Sequence, residues 1–275
     1  NYIFGDDNPF SGGIRVIDGN HTIVNNYIEG ARYQDSNWNG GIVLTGGNGS
    51  TSNGYQDVEN ILVANNTIVD SVNSLNFLGG NNSNKPDSVK LINNIIADAV
   101  GPVIKNATSL PTNSTFSGNI VFGQQLADDD NTNVSGLNGM TFVTPLLEKT
   151  GTGLYRPSTQ SPNLAADQTV DISPFTYPTH DMDGQLRSSF TSVGADEVLP
   201  SMITRGPLMA ELVGPLSYTP PTTSGHVVSI HITNHDFDST DFTCWINTGA
   251  EIIVNTDEVF SRGSSVKVDS AVDAI

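Results

Sequence analysis

Cationic side chains are scarce in this chain. Eleven lysines and arginines stand against 29 aspartates and glutamates in 275 residues, a formal net charge of −18. That balance argues against nucleic acid as a partner, because binding phosphates needs a basic surface. Long apolar runs are missing as well. None approaches the roughly 20 residues that cross a bilayer as a helix, so no membrane span is expected. Cysteine is nearly absent: Cys244 is alone, which excludes an internal disulfide and reads as a buried free thiol. The chain opens with neither methionine nor a signal-peptide pattern, so a mature, cleaved or truncated form is expected.

What is present is turn-rich β composition. Charged residues make up 15% and glycine contributes 27 positions, while β-branched and aromatic runs recur throughout. Four segments align: HTIVNNYIEG (21–30), NILVANNTIVDS (60–71), VKLINNIIADA (89–99) and STFSGNIVFGQ (114–124). Each is an apolar run, a polar asparagine position and a second apolar run, with Asn26, Asn66, Asn94 and Asn119 in equivalent places. A second series interleaves with the first: GGIRVI (12–17), GGIVLTG (40–46), SLNFLGG (74–80) and GPVIKNA (101–107). Two alternating strand types at a period of roughly 25 residues indicate a solenoid of short strands. The fold class is therefore all-β, a right-handed parallel β-helix followed by a short β-rich C-terminal segment. The asparagines suit the corners, because Asn tolerates the left-handed backbone. Their amides can also hydrogen-bond from coil to coil and satisfy buried polar groups.

Within GGIRVI the period of two separates Ile14 and Val16 from Arg15. The aliphatic pair is assigned to the narrow core, together with Val43 and the neighbours of Leu44. Arg15 then projects from the outer face of a sheet, either to pair with Asp18 or another carboxylate, or to meet a ligand.

In order along the chain stand SGGIRVIDGNHTIVNNYIEG, GYQDVENILVANNTIVD, KPDSVKLINNII, FSGNIVFG, GLYRPSTQSPN and DMDGQLRSSFTSVGADE. This series resembles the polysaccharide lyases typified by chondroitinase B and its alginate lyase relatives, over roughly residues 1–215. The last block resembles a closing motif of many β-helix proteins and speaks to fold; the GGIR block is more particular. The resemblance implies that Arg15 faces a groove and meets a uronate carboxylate, a task suited to an always-charged, bidentate guanidinium. It further implies substrate binding by Tyr55, and more weakly by Arg32 and Tyr33. The implied chemistry is β-elimination at a uronic acid, with calcium neutralising the carboxylate and a lysine as base.

The pattern of such enzymes places that lysine, an assisting arginine and the acidic calcium ligands before the GGIR block. Here only NYIFGDDNPFS precedes it, and no lysine comes before Lys85. No catalytic or metal-ligating residue is therefore assigned in this chain. The catalytic groups and calcium ligands are expected upstream of Asn1, on an N-terminal fragment or a second chain. Asn39, Gly40 and Gly54 stand where related enzymes carry further arginines. The run Asp128 to Asp130 lacks the spacing of a calcium loop and reads as solvated. His180–Asp181 and the stretch His231 to His235 read as structural or surface residues. The seven N-x-[ST] matches, at Asn20, Asn48, Asn65, Asn81, Asn106, Asn113 and Asn133, carry no weight amid so much Asn, Ser and Thr.

The domain reading is a β-helix over 1–216, a linker over 217–225 (SYTPPTTSG without its flanks), and an incomplete β-rich segment over 226–275. The functional reading is an alginate lyase-like polysaccharide lyase, secreted to the cell surface, medium or periplasm, with an anionic polysaccharide such as alginate as partner. Its alternatives are a non-catalytic glycan-binding β-helix and an acidic structural or adhesive filament subunit.

Overall fold

A computed structural model of the chain describes residues 1–33, 39–47, 55–78, 84–128, 137–158, 160–161, 165–167, 169–187, 192–198, 203, 205–207, 254–259 and 264–266. The chain divides into two compact units, Asn1–Pro207 and Leu208–Ile275. In the second, the described residues form an antiparallel pair, Val254–Val259 with Ser264–Val266. The linker, Cys244, His231, His235 and the other strand candidates of that segment lie outside the described residues, as do Gly54, Asp129 and Asp130.

The first unit is a parallel β-helix. Its first coil contributes β1 (Tyr2–Phe4), β2 (Ile14–Val16) and β3 (Thr22–Val24). The second contributes β4 (Tyr27–Glu29), β5 (Ile42–Thr45) and β6 (Glu59–Ala64). The third contributes β7 (Thr67–Val69), β8 (Leu75–Leu78) and β9 (Asp87–Ile92). In the fourth, one long strand, β10 (Ile95–Lys105), serves both the first and second columns before β11 (Thr115–Ser117). It pairs with β7 through Ile95–Ala97 and with β8 through Ile104–Lys105. Gly101, at φ 92°, lies in the bend between them. β12 (Asn119–Ala127) and β13 (Met140–Phe142) continue the stack. All of these pairings are parallel, and β3, β6, β9 and β11 form a second, four-stranded sheet.

The core is built of side-chain columns that follow from register. Ile14, Ile42, Leu75 and Ile104 align, as do Val16, Leu44 and Phe77. Ile28, Ile68, Ile96 and Val121 form another column. Ile23, Val63, Leu91 and Phe116 line the opposite wall, and Phe116 stacks on Phe77 with ring centroids 6.2 Å apart. Val43 departs from the sequence expectation. It pairs with Arg15 and Asn76, between the core residues Ile42 and Leu44, so the pleat turns it outward. It is nonetheless only 1% exposed, and that burial on an outer face is what a residue-by-residue hydropathy reading mistakes for core.

The asparagines divide the corner's work between two consecutive residues. Asn25, Asn65, Asn93 and Gly118 take the left-handed backbone, at φ 54°, 52°, 56° and 64°. The residue after each enters the ladder. Asn26 donates its side-chain amide to Asn66 Oδ1 at 2.8 Å, Asn66 to Asn94 at 2.9 Å, and Asn94 to Asn119 at 2.9 Å. Asn1 adds a rung that the sequence alignment did not include, donating to Asn26 Oδ1 at 2.8 Å. The Oδ1 atoms of Asn66, Asn94 and Asn119 also receive the backbone N–H of the preceding rung, from Asn26, Asn66 and Asn94. The spare amide hydrogens reach carbonyls such as Val63 O and Ile92 O. The left-handed asparagines turn their amides the other way, onto the C-terminal part of this unit. Asn25 donates to His180 O, Asn65 to Ser192 O and Asn93 to Asp167 O.

That C-terminal part begins with β14 (Leu147–Lys149) and β15 (Tyr155–Pro157), an antiparallel pair. The described residues between 165 and 198 then run as an irregular strap. Met182, Val193 and Ala195 pack on Tyr27, Val69, Ile95 and Ile120; Ile172, Phe175 and Tyr177 pack on Leu62, Ala64 and Ile92. The strap thus covers outer faces of two of the three strand columns.

The ladder makes a stability prediction. Replacing Asn94 by alanine strands the buried N–H of Asn66 and the carbonyls of Val63 and Ile92, at about 1–3 kcal/mol per unsatisfied group. Urea unfolding of Asn94→Ala is expected to show a loss of about 2–4 kcal/mol, whereas Asn138→Ala, at an exposed position, changes by less than about 0.5 kcal/mol.

Candidate functional site

The column left outside the strap contains Arg15. It sits mid-strand in β2, exposed, in register with Val43, Asn76 and Lys105 on successive coils. Its guanidinium carbon lies 5.8 Å from the centroid of the Tyr55 ring, inside the range of a cation–π contact. Tyr55 is 41% exposed. The two residues singled out from the sequence are therefore neighbours, and an aromatic ring steadies a flexible cation without neutralising it. Asp18 spends a carboxylate oxygen on the N–H of Gly19 at 2.7 Å, in a left-handed turn at φ 74°.

Arg32 and Tyr33 form a separate group. Arg32 Nε lies 2.9 Å from Asp7, and Nη2 pairs with Asp70. The Tyr33 ring stands 6.0 Å from that of Phe10. Lys105, in the Arg15 column, pairs with Asp128 at 3.1 Å. Asp128 also accepts the N–H groups of Asn106 and Ala107, both at 3.0 Å. Burial would raise its pKa, but these hydrogen bonds and Lys105 outweigh it and hold the carboxyl below its ordinary value. The first aspartate of that run is thus a cap on a single 3₁₀ turn (Ala107–Ser109) rather than a solvated charge.

The densest chemistry lies in the strap. Asp181, Asp183 and Asp196 are buried, with oxygens all within 4.8 Å of one another, close enough to hold a metal ion. The donor set is already committed. Arg156 Nη1, from β15, bridges Asp183 and Asp196. Asp183 also accepts the Tyr2 hydroxyl at 2.6 Å. Asp181 takes backbone N–H groups of Asp183, Gln185 and Glu197 at 2.8–2.9 Å. A calcium ion wants six to eight free oxygen ligands; here a guanidinium supplies the cation, and the residues do not fit that ion. Beside the trio, Arg187 pairs with Glu197 at 3.0 Å and donates to Gly194 O at 2.7 Å and Asn25 Oδ1 at 3.2 Å. Sequence reading treated Asp181 beside His180 alone; the DMDG and GADE blocks held the signal, since their carboxylates and Arg187 converge.

The match that decides the family lies over most of this unit. The family described as Chondroitinase B matches residues 1–183. The chain belongs to the chondroitinase B family. Among solved structures, it is similar to the PL6 family alginate lyase AlyGC at 26% identity, covering 58% of this chain and 21% of that one, with a TM-score of 0.42. An arginine-to-alanine mutant of AlyGC gives the same identity and coverage, with a TM-score of 0.43. The chain thus spans about a fifth of the length of these lyases. No curated protein matches it.

In this family member the closing cluster makes the strap sensitive to pH. Burial raises the Asp196 pKa to about 7, against the pull of Arg156 and with help from Asp183 and Asp181. A folded-state pKa above the unfolded value of about 4 means that folding takes up a proton. The stability it contributes is complete below about pH 4 and is lost as pH rises through about 7. The melting temperature of the wild type is expected to fall between about pH 5 and pH 8 by more than that of Asp196→Asn, measured side by side. Equal slopes would mean that the proton taken up on folding sits on another group.

Proposed function

We propose that this β-helix serves β-elimination on a uronic-acid-containing polysaccharide, with alginate as the substrate class, and that Arg15 meets a uronate carboxylate. The observation that carries the reading is the placement of Arg15, outward and exposed on the column of a chondroitinase B family β-helix that the strap does not cover, and beside the Tyr55 ring. A guanidinium there can bind a carboxylate through two parallel hydrogen bonds. Neutralising that carboxylate lets charge develop at C5 as its proton leaves. A polymeric substrate supports a location outside the cytoplasm: secreted, periplasmic or at the cell surface.

The base is a separate matter. Lys90 donates to the carbonyls of Asp171 and Ser173, Lys105 pairs with Asp128, and Lys149 pairs with Glu29. These engagements favour a second reading, a β-helix that binds the glycan without cleaving it. The calcium implied by the resemblance finds no fitting ligand set in the Asp181, Asp183 and Asp196 cluster. The 275-residue chain alone is expected to show no rise in the ultraviolet absorbance of unsaturated uronate when mixed with alginate and Ca²⁺. Robust turnover would mean that one of these lysines leaves its partner to act as base, or that the exposed Lys85 does so.

Binding separates a gripping arginine from a structural one. An exposed ion pair is worth about 0–1 kcal/mol to stability, whereas a lost hydrogen bond to a charged group costs about 1.5–3 kcal/mol. Calorimetric titration with alginate oligomers is expected to show at least tenfold weaker binding by Arg15→Ala, a factor of about 1.4 kcal/mol, with a nearly unchanged melting curve. Intact binding with a melting point several degrees lower would make Arg15 a structural residue.

A further inference from the structure

We infer that Phe10 and Tyr33 form an aromatic platform on which one sugar ring of the polyuronate stacks, with Arg32 as the residue that positions it. The inference rests on the polysaccharide reading above and adds a second subsite to it. Phe10 is 75% exposed, more than any other large hydrophobic side chain among the described residues. Such exposure on a soluble protein marks contact surface when the ring is held and has company.

Both conditions are met. The N–H of Phe10 is taken by Asn8 Oδ1 at 2.9 Å, that of Ser11 by Asn8 O at 2.9 Å, and that of Asn8 by Gly5 O at 2.9 Å. The Tyr33 N–H donates to Ser11 O at 3.0 Å, and the two rings meet at 6.0 Å and 58°. Arg32 braces the arrangement from three directions. Its guanidinium joins Asp7, on the turn that carries Phe10, to Asp70 at the end of β7, and its backbone N–H donates to Ser11 Oγ at 3.1 Å. With two carboxylates on it, Arg32 is a bracket and no longer a spare cation for the substrate.

The occupant follows from continuity. Phe10 lies five residues before Arg15 on one uninterrupted stretch, a span of at most about 17–18 Å, which a short oligosaccharide covers. The apolar C–H face of a pyranose can stack on an aromatic face. That contact does not depend on charge, an advantage for holding a polyanion on a protein of net charge −18.

The test titrates the full 275-residue chain with alginate oligomers at several salt concentrations, as wild type, Phe10→Ala, Phe10→Trp and Arg15→Ala. Phe10→Ala is expected to bind five- to tenfold more weakly with the salt dependence of the wild type, because screening acts on charges. Phe10→Trp is expected to keep its affinity and to change its fluorescence on binding. Arg15→Ala is expected to flatten the salt dependence. Wild-type affinity in Phe10→Ala beside weakened Arg15→Ala overturns the platform alone. No binding by the wild type overturns both the platform and the polysaccharide reading.

Discussion

A buried primary amide has two hydrogens and an acceptor oxygen, and a solenoid corner offers a place for each of them. The amides of Asn26, Asn66, Asn94 and Asn119 each donate along the stack and to a carbonyl, and accept from a rung before. An unpaired buried group would cost more than the bond contributes, so a coil shifted by one residue is strongly disfavoured. Register fixed at this corner fixes it on the sheets, and the sheets decide which side chains are core. Arg15 points outward because Ile14 and Val16 are aligned with Ile42 and Leu44.

The second asparagine of each corner has the complementary task. Its left-handed backbone turns the chain, and its amide reaches out to the strap. The strap then occupies surfaces that would otherwise expose Tyr27, Ile95, Leu62 and Ile92. Its closing cluster of Arg156, Arg187 and four carboxylates is structural chemistry, buried and ion-paired, with only Arg187 Nε left without a hydrogen-bond partner among its described atoms. The strap leaves the β2 column, which carries Arg15 beside Tyr55, while the Phe10–Tyr33 pair lies on the connections that leave β1 and β4. The proposed grip on the substrate through Arg15 and the closure by the strap thus belong to different strand columns of one coil stack.

Most of this architecture was legible in the residues. The Asn-centred repeat identified the coils, because its asparagines are separated by whole turns, and the GGIR parity identified an outward arginine. Asn1 was missed as a rung because only a few residues surround it, too few to show a period. Val43 was misplaced because hydropathy reports burial, and cannot tell burial in the core from burial on an outer face. The partners of Arg32, Asp128 and Asp196 were beyond reach for a different reason. Each is paired across a separation with no fixed period, and only the folded coil stack brings the two ends together.

Successive rungs of the ladder are 25, 40, 28 and 25 residues apart. The amide bridge is indifferent to that number, since it meets only the next coil and never the loop between. Loop length is correspondingly inexpensive: doubling a flexible connection adds only about 0.6 kcal/mol of closure entropy. Insertions and deletions between rungs can therefore accumulate without disturbing the frame. A lineage built on this plan can change what its surface contacts by lengthening or trimming the excursions between asparagines, while the stack beneath them stays as it was.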